Sequence, residues 1–186
     1  MASKNGIERE VKFAGVELDR LRDRLLEMSA ERVTASGFEE NWIFDRKREL
    51  AKAGLLLRLR QDGQGAWLTF KGPPVFEGRV KVRDEQETQV GDADTARALL
   101  EALGYTVVRR YQKMREAWRL GGVTIALDHT PIGDFAEFEG EAAARVAKRC
   151  GFDPGQAERR SYLRLYDDYR KEHPESPPDM VFPDRA

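Results

Sequence analysis

Apolar and polar positions alternate with period two along most of the chain, and turn residues and a few helical stripes separate the alternating stretches. The alternation predicts strands near 7–13, 33–45, 55–61, 65–71, 78–88, 105–119, 122–129 and 134–139. Gly63-Gln64-Gly65 and Gly121-Gly122 are hairpin-like links, and strands joined so tightly pair antiparallel. Leu18, Leu21, Leu25 and Met28 form one helical stripe. A second helix starts near Asp92 or Asp94 as N-cap, carries Ala96, Leu99, Leu100 and Leu103, and ends at Gly104. A third, about 156–171, presents Tyr162, Leu165, Tyr166 and Tyr169, and a shorter one is expected around 140–149. Beyond this, residues 173–186 are rich in proline and read as an extended tail outside the core, leaving 1–172 as one domain.

A faint internal repeat runs through this pattern. Glu8-x-Glu10-x-Lys12 leads into the helix with Leu25-Leu26 and then a strand from about Val33. Glu85-x-Glu87-x-Gln89 leads into the helix with Leu99-Leu100 and then a strand from about Val107. Two strand–helix–strand halves suit one closed sheet with a helix of each half packed outside.

Sorting each strand into its two faces separates charge from grease. Glu8, Glu10 and Lys12 oppose Ile7, Val11 and Phe13, and Arg58 and Arg60 oppose Leu55, Leu57 and Leu59. Trp67, Thr69 and Lys71 oppose Leu68 and Phe70. Arg79, Lys81, Arg83, Glu85 and Glu87 oppose Val80 and Val82. Arg109, Tyr111, Lys113 and Arg115 oppose Met114 and Trp118, Thr124 and Asp128 oppose Val123, Ile125 and Leu127, and Glu137 and Glu139 flank Phe138. An ordinary sheet with one face in water shows such alternation too. Here, though, the polar faces hold almost no Ser, Gln or Asn, and like charges recur two residues apart. Two carboxylates at ~7 Å in an effective dielectric of ~20 repel by about 2.4 kcal/mol. Glu8 with Glu10, and Glu137 with Glu139, therefore look like places that expect a cation. Helices covering the apolar faces would turn the ionic faces inward, where charges need a partner or a ligand.

Composition sharpens the picture. Charged residues make up 35% of the 186, yet 32 basic and 33 acidic side chains nearly cancel, which speaks against a general nucleic-acid binder. Cys150 is the only cysteine, so no intrachain disulfide and no cysteine-based zinc site is available. Met1–Gly6 lacks an apolar signal core and no run is long and apolar enough for a membrane span, so a cytoplasmic, membrane-free protein is expected. Carboxylates without His or Cys favour hard cations, Mg2+ or Mn2+, while Lys and Arg on neighbouring strands favour phosphate oxygens. A mixed lining of this kind suits a metal-bound triphosphate. Competing motifs are poor: no G-x-x-x-x-G-K-[ST] loop occurs, Gly63-x-Gly65 lacks its third glycine, and His129 and Ser161 have no triad around them. His129 reads as a turn or surface residue, and Trp67 and Tyr111 read as packing before base-stacking.

With these residues in order, the chain resembles the CYTH superfamily, the triphosphate tunnel metalloenzymes. Glu8-x-Glu10-x-Lys12 is followed by Ile43-Phe44-Asp45, Leu57-Arg58-Leu59-Arg60, Thr69-Phe70-Lys71-Gly72-Pro73, Arg83-x-Glu85-x-Glu87, Lys113-x-Arg115, Asp128, Gly133-x-Phe135-x-Glu137-x-Glu139 and Ser161-Tyr162. The resemblance covers about residues 6 to 170 and implies an α+β fold: an eight-stranded antiparallel tunnel with a charged interior and helices outside. It implies metal-side carboxylates at Glu8, Glu10, Asp128, Glu137 and Glu139, with Glu85 or Glu87 assisting. It implies triphosphate ligands at Lys12, Arg58, Arg60, Lys71, Arg83, Lys113 and Arg115, with Glu8, Glu10, Lys12, Arg58, Arg60 and Lys113 carrying the reaction. Glu39-Glu40-Asn41 departs from a Gln-x-Asp-like pattern in many members and puts substrate choice in question. The resemblance is nearest class IV adenylyl cyclases, which convert ATP to cyclic AMP and pyrophosphate, and is consistent with a homodimer. A hydrolase of tripolyphosphate or thiamine triphosphate, and a non-catalytic polyphosphate- or nucleotide-binding module, are the alternatives.

Overall fold

The computed structural model describes residues 4–183. Met1–Ser3 of the polar start and residues 184–186 of the expected tail lie outside the described residues. The strands are β1 (Lys4–Ala14), β2 (Glu31–Asp45), β3 (Leu56–Asp62), β4 (Gly65–Lys71), β5 (Val75–Glu77), β6 (Val80–Val90), β7 (Thr106–Leu120), β8 (Val123–Thr130) and β9 (Gly133–Glu139). The helices are α1 (Leu18–Glu27), α2 (Glu49–Lys52), α3 (Ala93–Ala102), α4 (Ala143–Arg149) and α5 (Tyr162–Glu172).

The sheet runs β1-β9-β8-β7-β2-β3-β4-β6, and β6 pairs back to β1, so eight antiparallel strands close into a barrel. Short β5 extends the wall beyond the end of β4, pairing Val75–Glu77 with Val80–Val82 of β6. The chain breaks between β4 and β5 at Pro73-Pro74, which cannot donate ladder hydrogen bonds. Closure makes the repeat visible in space. Around the ring β1 lies opposite β2 and β6 lies opposite β7, so β1–α1–β2 and β6–α3–β7 are the two expected halves.

The apolar faces turn outward under helices. Leu21 and Leu25 of α1 and Ala143, Val146 and Ala147 of α4 pack on Val11, Phe13, Ile125, Leu127 and Phe138. Across the barrel, Ala93, Ala96 and Leu100 of α3 cover Phe44, Leu59 and Ala66. The Asp92 side chain caps α3 by accepting from Thr95 N at 2.7 Å, as the sequence predicts. The expected 156–171 helix begins later: Pro154–Gln156 form a 3-10 turn, and Ser161 caps α5 by accepting from Arg164 N.

Helix α5 does not lie on the outside with the others. Its Tyr162 and Tyr166 pack with the inward-facing Ile43, Tyr111 and Phe135 and close one end of the barrel. The tail is also part of the wall, contrary to expectation. β8 pairs with β7 only from Met114 onward, so Arg110–Gln112 would lack a neighbour on that side. Met180 fills the gap: its carbonyl accepts from Gln112 N at 2.8 Å and its N–H donates to Arg110 O at 3.2 Å. Its side chain is wholly buried against Tyr111 and the tyrosines of α5. Unpaired strand groups explain why a proline-rich segment docks here. Met180→Ala is expected to destabilise the fold by about 2–5 kcal/mol, seen as a lower urea midpoint with unchanged slope. An unchanged midpoint would show that the tail adds nothing to the core.

Candidate active site

The inward faces of the strands enclose a cavity of about 450 Å³. The plug of α5 bounds one end, where Tyr162 and Leu163 reach the lining, and the exposed Gly63-Gln64 hairpin and Arg119 mark the open mouth. The lining is ionic despite its burial: Glu8, Glu10, Lys12, Glu39, Glu85 and Lys113 are all less than a tenth exposed. Such charges persist only when each finds an opposite partner.

Three adjacent strands, β6, β1 and β9, form an acidic wall. The carboxylates of Glu85, Glu8 and Glu139 converge there, with one oxygen of each within 4.8 Å of the others. Lys71 Nζ donates to both oxygens of Glu8 at 2.8 Å and lies 3.2 Å from Glu85. Hard oxygen donors converging in a buried pocket fit a small divalent cation. Glu8 and Glu139 were expected here, and Glu85, read as an assisting residue, completes the group.

The opposite wall, β7, β2 and β3, is basic. Arg58 donates to the Tyr111 hydroxyl at 3.2 Å and to Thr69 Oγ1 at 3.3 Å, and sits 3.5 Å from Glu87. Arg60 lies over the Trp67 ring at 4.6 Å and pairs with Glu87 at 3.3 Å. So Trp67 and Tyr111 pack as expected, but they pack against the cavity-lining Arg60 and Arg58. Among the described residues, the buried Nε of both Arg58 and Arg60 has no hydrogen-bond partner. Lys113 and Arg115 continue this wall from β7.

Other predicted residues fall less simply. Glu10 pairs with Lys81 at 2.7 Å, while Glu137 pairs with Lys12 at 3.3 Å and with Arg115. Lys12 also lies 4.2 Å over the Tyr162 ring. Arg83 lines the cavity and donates to Gly72 O at 2.9 Å, whereas exposed Arg79 turns away towards Ala157 O. Asp128, expected on the metal side, sits apart from the three convergent carboxylates. It is wholly buried behind the lining, accepting from Lys113 at 3.1 Å, twice from Arg115 and from the Tyr162 hydroxyl at 2.7 Å. The register sets Arg115 directly opposite Asp128, so the carboxylate is captured by its neighbour strand. His129 is exposed at a strand end, as read from the sequence, and there bonds Asp134.

Tyr162 and Arg119 are given no site role by the sequence, and Glu39 enters there only within the Glu39-Glu40-Asn41 segment that bears on substrate choice. Alternation along β2 was the available signal for Glu39, since Glu39, Asn41 and Ile43 share the inward face. Burial acts to raise the Glu39 carboxyl, but Lys113, Arg115, Arg60 and Arg58 outweigh it and hold the group well below the usual range. Burial is likewise overcome at Glu137 by Lys12, Arg115, Lys113 and Lys81. A carboxyl depressed by folding stabilises the native state above its ordinary value of 4.5, and that stability is lost as pH falls through the lower folded value. The urea midpoint is therefore expected to hold from neutrality to about pH 5 and to drop on further acidification. A midpoint that rises below that point would contradict the charged interior.

The comparisons with known proteins agree with this architecture. The CYTH domain profile matches residues 6–162. A protein of Aeromonas hydrophila named adenylate cyclase CyaB is 29% identical over 175 residues, spanning 85% of this chain and 87% of that protein. A crystal structure of a Vibrio parahaemolyticus protein, named as a candidate adenylate cyclase, matches with a TM-score of 0.74 at 26% identity, over 88% of this chain and 99% of that one. The PH1819 protein of Pyrococcus horikoshii matches with a TM-score of 0.72 at 29% identity, with the same two coverages. Among the described residues, no helix is long and apolar enough to cross a membrane. A family profile over most of the chain, on a closed barrel with an ionic interior, leads to one conclusion: the chain belongs to the CYTH domain family.

Proposed function

We propose that the chain is a divalent-metal-dependent enzyme acting on a triphosphate, and that its reaction is the cyclisation of ATP to cyclic AMP and pyrophosphate. One observation carries the reading: Glu8, Glu85 and Glu139 face Arg58, Arg60, Lys113 and Arg115 across a single enclosed cavity. A simple anion trap needs only the basic wall. Mg2+ or Mn2+ held by the three carboxylates would supply charge neutralisation on phosphoryl oxygens and a lowered pKa for a ribose hydroxyl. The names of the Aeromonas and Vibrio relatives favour the cyclase branch.

In this reading the guanidinium forks of Arg58 and Arg60 grip phosphate oxygens, their unpartnered Nε groups being donors in waiting. Tyr111 and Glu87 orient the forks, and Lys12, Lys113 and Arg115 stabilise the pyrophosphate as the bond to the α-phosphorus breaks. The ribose 3′-oxygen forms the new bond to that phosphorus and its proton is lost to water. The α5 plug limits water at the closed end, which favours the internal hydroxyl over hydrolysis. Arg58→Ala is expected to raise the KM for the triphosphate about ten- to a hundredfold, the worth of hydrogen bonds to a charged group. An unchanged KM would place Arg58 outside the binding set.

Incubation with Mg2+ or Mn2+ and ATP, tripolyphosphate or thiamine triphosphate, with identification of products, tests the proposal. Cyclic AMP with pyrophosphate is expected. Orthophosphate release alone would replace the cyclase by a triphosphatase, and binding without turnover would make the chain a binding module.

A further inference from the structure

Glu39 is a carboxylate set into the wrong wall for a metal ligand. It stands on β2, opposite β1 in the ring, and its side chain is 2% exposed. Cations surround it: Lys113 Nζ at 3.4 Å, Arg60 at 3.8 Å and Arg115 at 4.0 Å. The Asn41 amide, itself wholly buried, donates to one of its oxygens at 3.0 Å. These same cations are the ones proposed to take the phosphates. A bound polyanion therefore shares them with a fixed negative charge that cannot move away or be screened by bulk salt.

From this geometry we infer that Glu39 is a specificity-determining counter-anion that biases the tunnel against the most highly charged polyphosphates. The inference rests on the triphosphate reading and deepens it. Repulsion from a fixed charge scales with the charge of the ligand. Inorganic tripolyphosphate carries one more ionisable oxygen than a triphosphate esterified at one end, because the ester consumes one. Glu39 thus costs tripolyphosphate more affinity than it costs ATP and tilts the site towards the esterified substrate. The rest of the wall does not depend on it: Lys113 keeps Asp128 at 3.1 Å, and Arg115 keeps Asp128 and Glu137.

The test is equilibrium dialysis of tripolyphosphate and of ATP, each in EDTA so that no turnover occurs, against the full chain and its Glu39→Gln and Glu39→Asp variants. The amide of Glu39→Gln still accepts from Asn41, and thermal unfolding of each variant checks that the barrel remains intact. Glu39→Gln is expected to bind tripolyphosphate roughly tenfold more tightly and ATP roughly sixfold, shifting the preference by about 1.6-fold. Glu39→Asp keeps the charge and is expected to keep the wild-type preference. An unchanged ratio in Glu39→Gln, or an equal shift in Glu39→Asp, would overturn the inference while leaving the triphosphate reading standing. If the wild-type chain binds neither ligand in EDTA, the same ratios are taken with Mg2+ and non-hydrolysable analogues of both, and no binding there would overturn both.

Discussion

Glu8→Gln is expected to cost roughly a hundredfold or more in metal-dependent turnover, at least the loss usual when the surroundings of a bound metal are disturbed. The amide still offers an oxygen to Lys71, which the carboxylate now holds through both oxygens at 2.8 Å, so the barrel is expected to stay folded. What disappears is one of the three negative charges that converge within 4.8 Å. Turnover measured against Mn2+ concentration should show a weaker apparent metal affinity as well as a lower maximum. Glu10→Gln makes the informative contrast. Its carboxylate is paired with Lys81 at 2.7 Å and stands outside the convergent group, so a smaller loss is expected. Equal losses in the two variants would return Glu10 to the metal side, and an unaltered metal dependence in Glu8→Gln would remove Glu8 from it.

The second large effect is on stability. Asp128→Asn is expected to destabilise the protein by about 3–5 kcal/mol, the cost of leaving buried charges without their partner. The amide keeps one acceptor oxygen but not the charge, so Lys113 and Arg115 lose the anion between them, and one of the two oxygens that Arg115 now grips becomes an NH2 donor facing it. Tyr162 is held protonated by burial and by the nearby Asp128 and Glu137 charges, and its bond that seats the α5 plug would compete with Lys113 and Arg115 for the one remaining oxygen. For a chain of this length the loss corresponds to a fall in Tm of about 10 °C. Tyr162→Phe removes a single bond and should cost only about 1–3 kcal/mol. A thermally unaltered Asp128→Asn would mean that the carboxylate is free for another role.

Period-two alternation carried most of the architecture, because each strand here is greasy on one side and ionic on the other. It placed β3, β4, β8 and β9 within a residue or so of their ends. It missed β5, whose three residues follow Pro73-Pro74 and are too short to show a period. It also missed α2, a single turn entered through Arg48 with a left-handed φ of 64°. Local pattern was weakest where the neighbouring strand decides the outcome. Asp128 and Glu139 look alike along their own strands, yet one faces Arg115 across a register pair and the other meets Glu8 and Glu85. Ring order, which brings β6, β1 and β9 side by side, is not written in any single segment. The tail misled for a related reason: its composition says loose, but the vacancy beside β7 that captures Met180 arises only once β8 stops short.

Crystals grown with Mn2+ and a non-hydrolysable ATP analogue offer the most direct check, through the anomalous scattering of the metal. The prediction is an anomalous peak among Glu8, Glu85 and Glu139, with the triphosphate reaching from it to Arg58, Arg60 and Lys113 inside the barrel. Manganese and nucleotide bound on the outer surface, with the interior ion pairs undisturbed, would contradict the proposal that the tunnel is the site of chemistry.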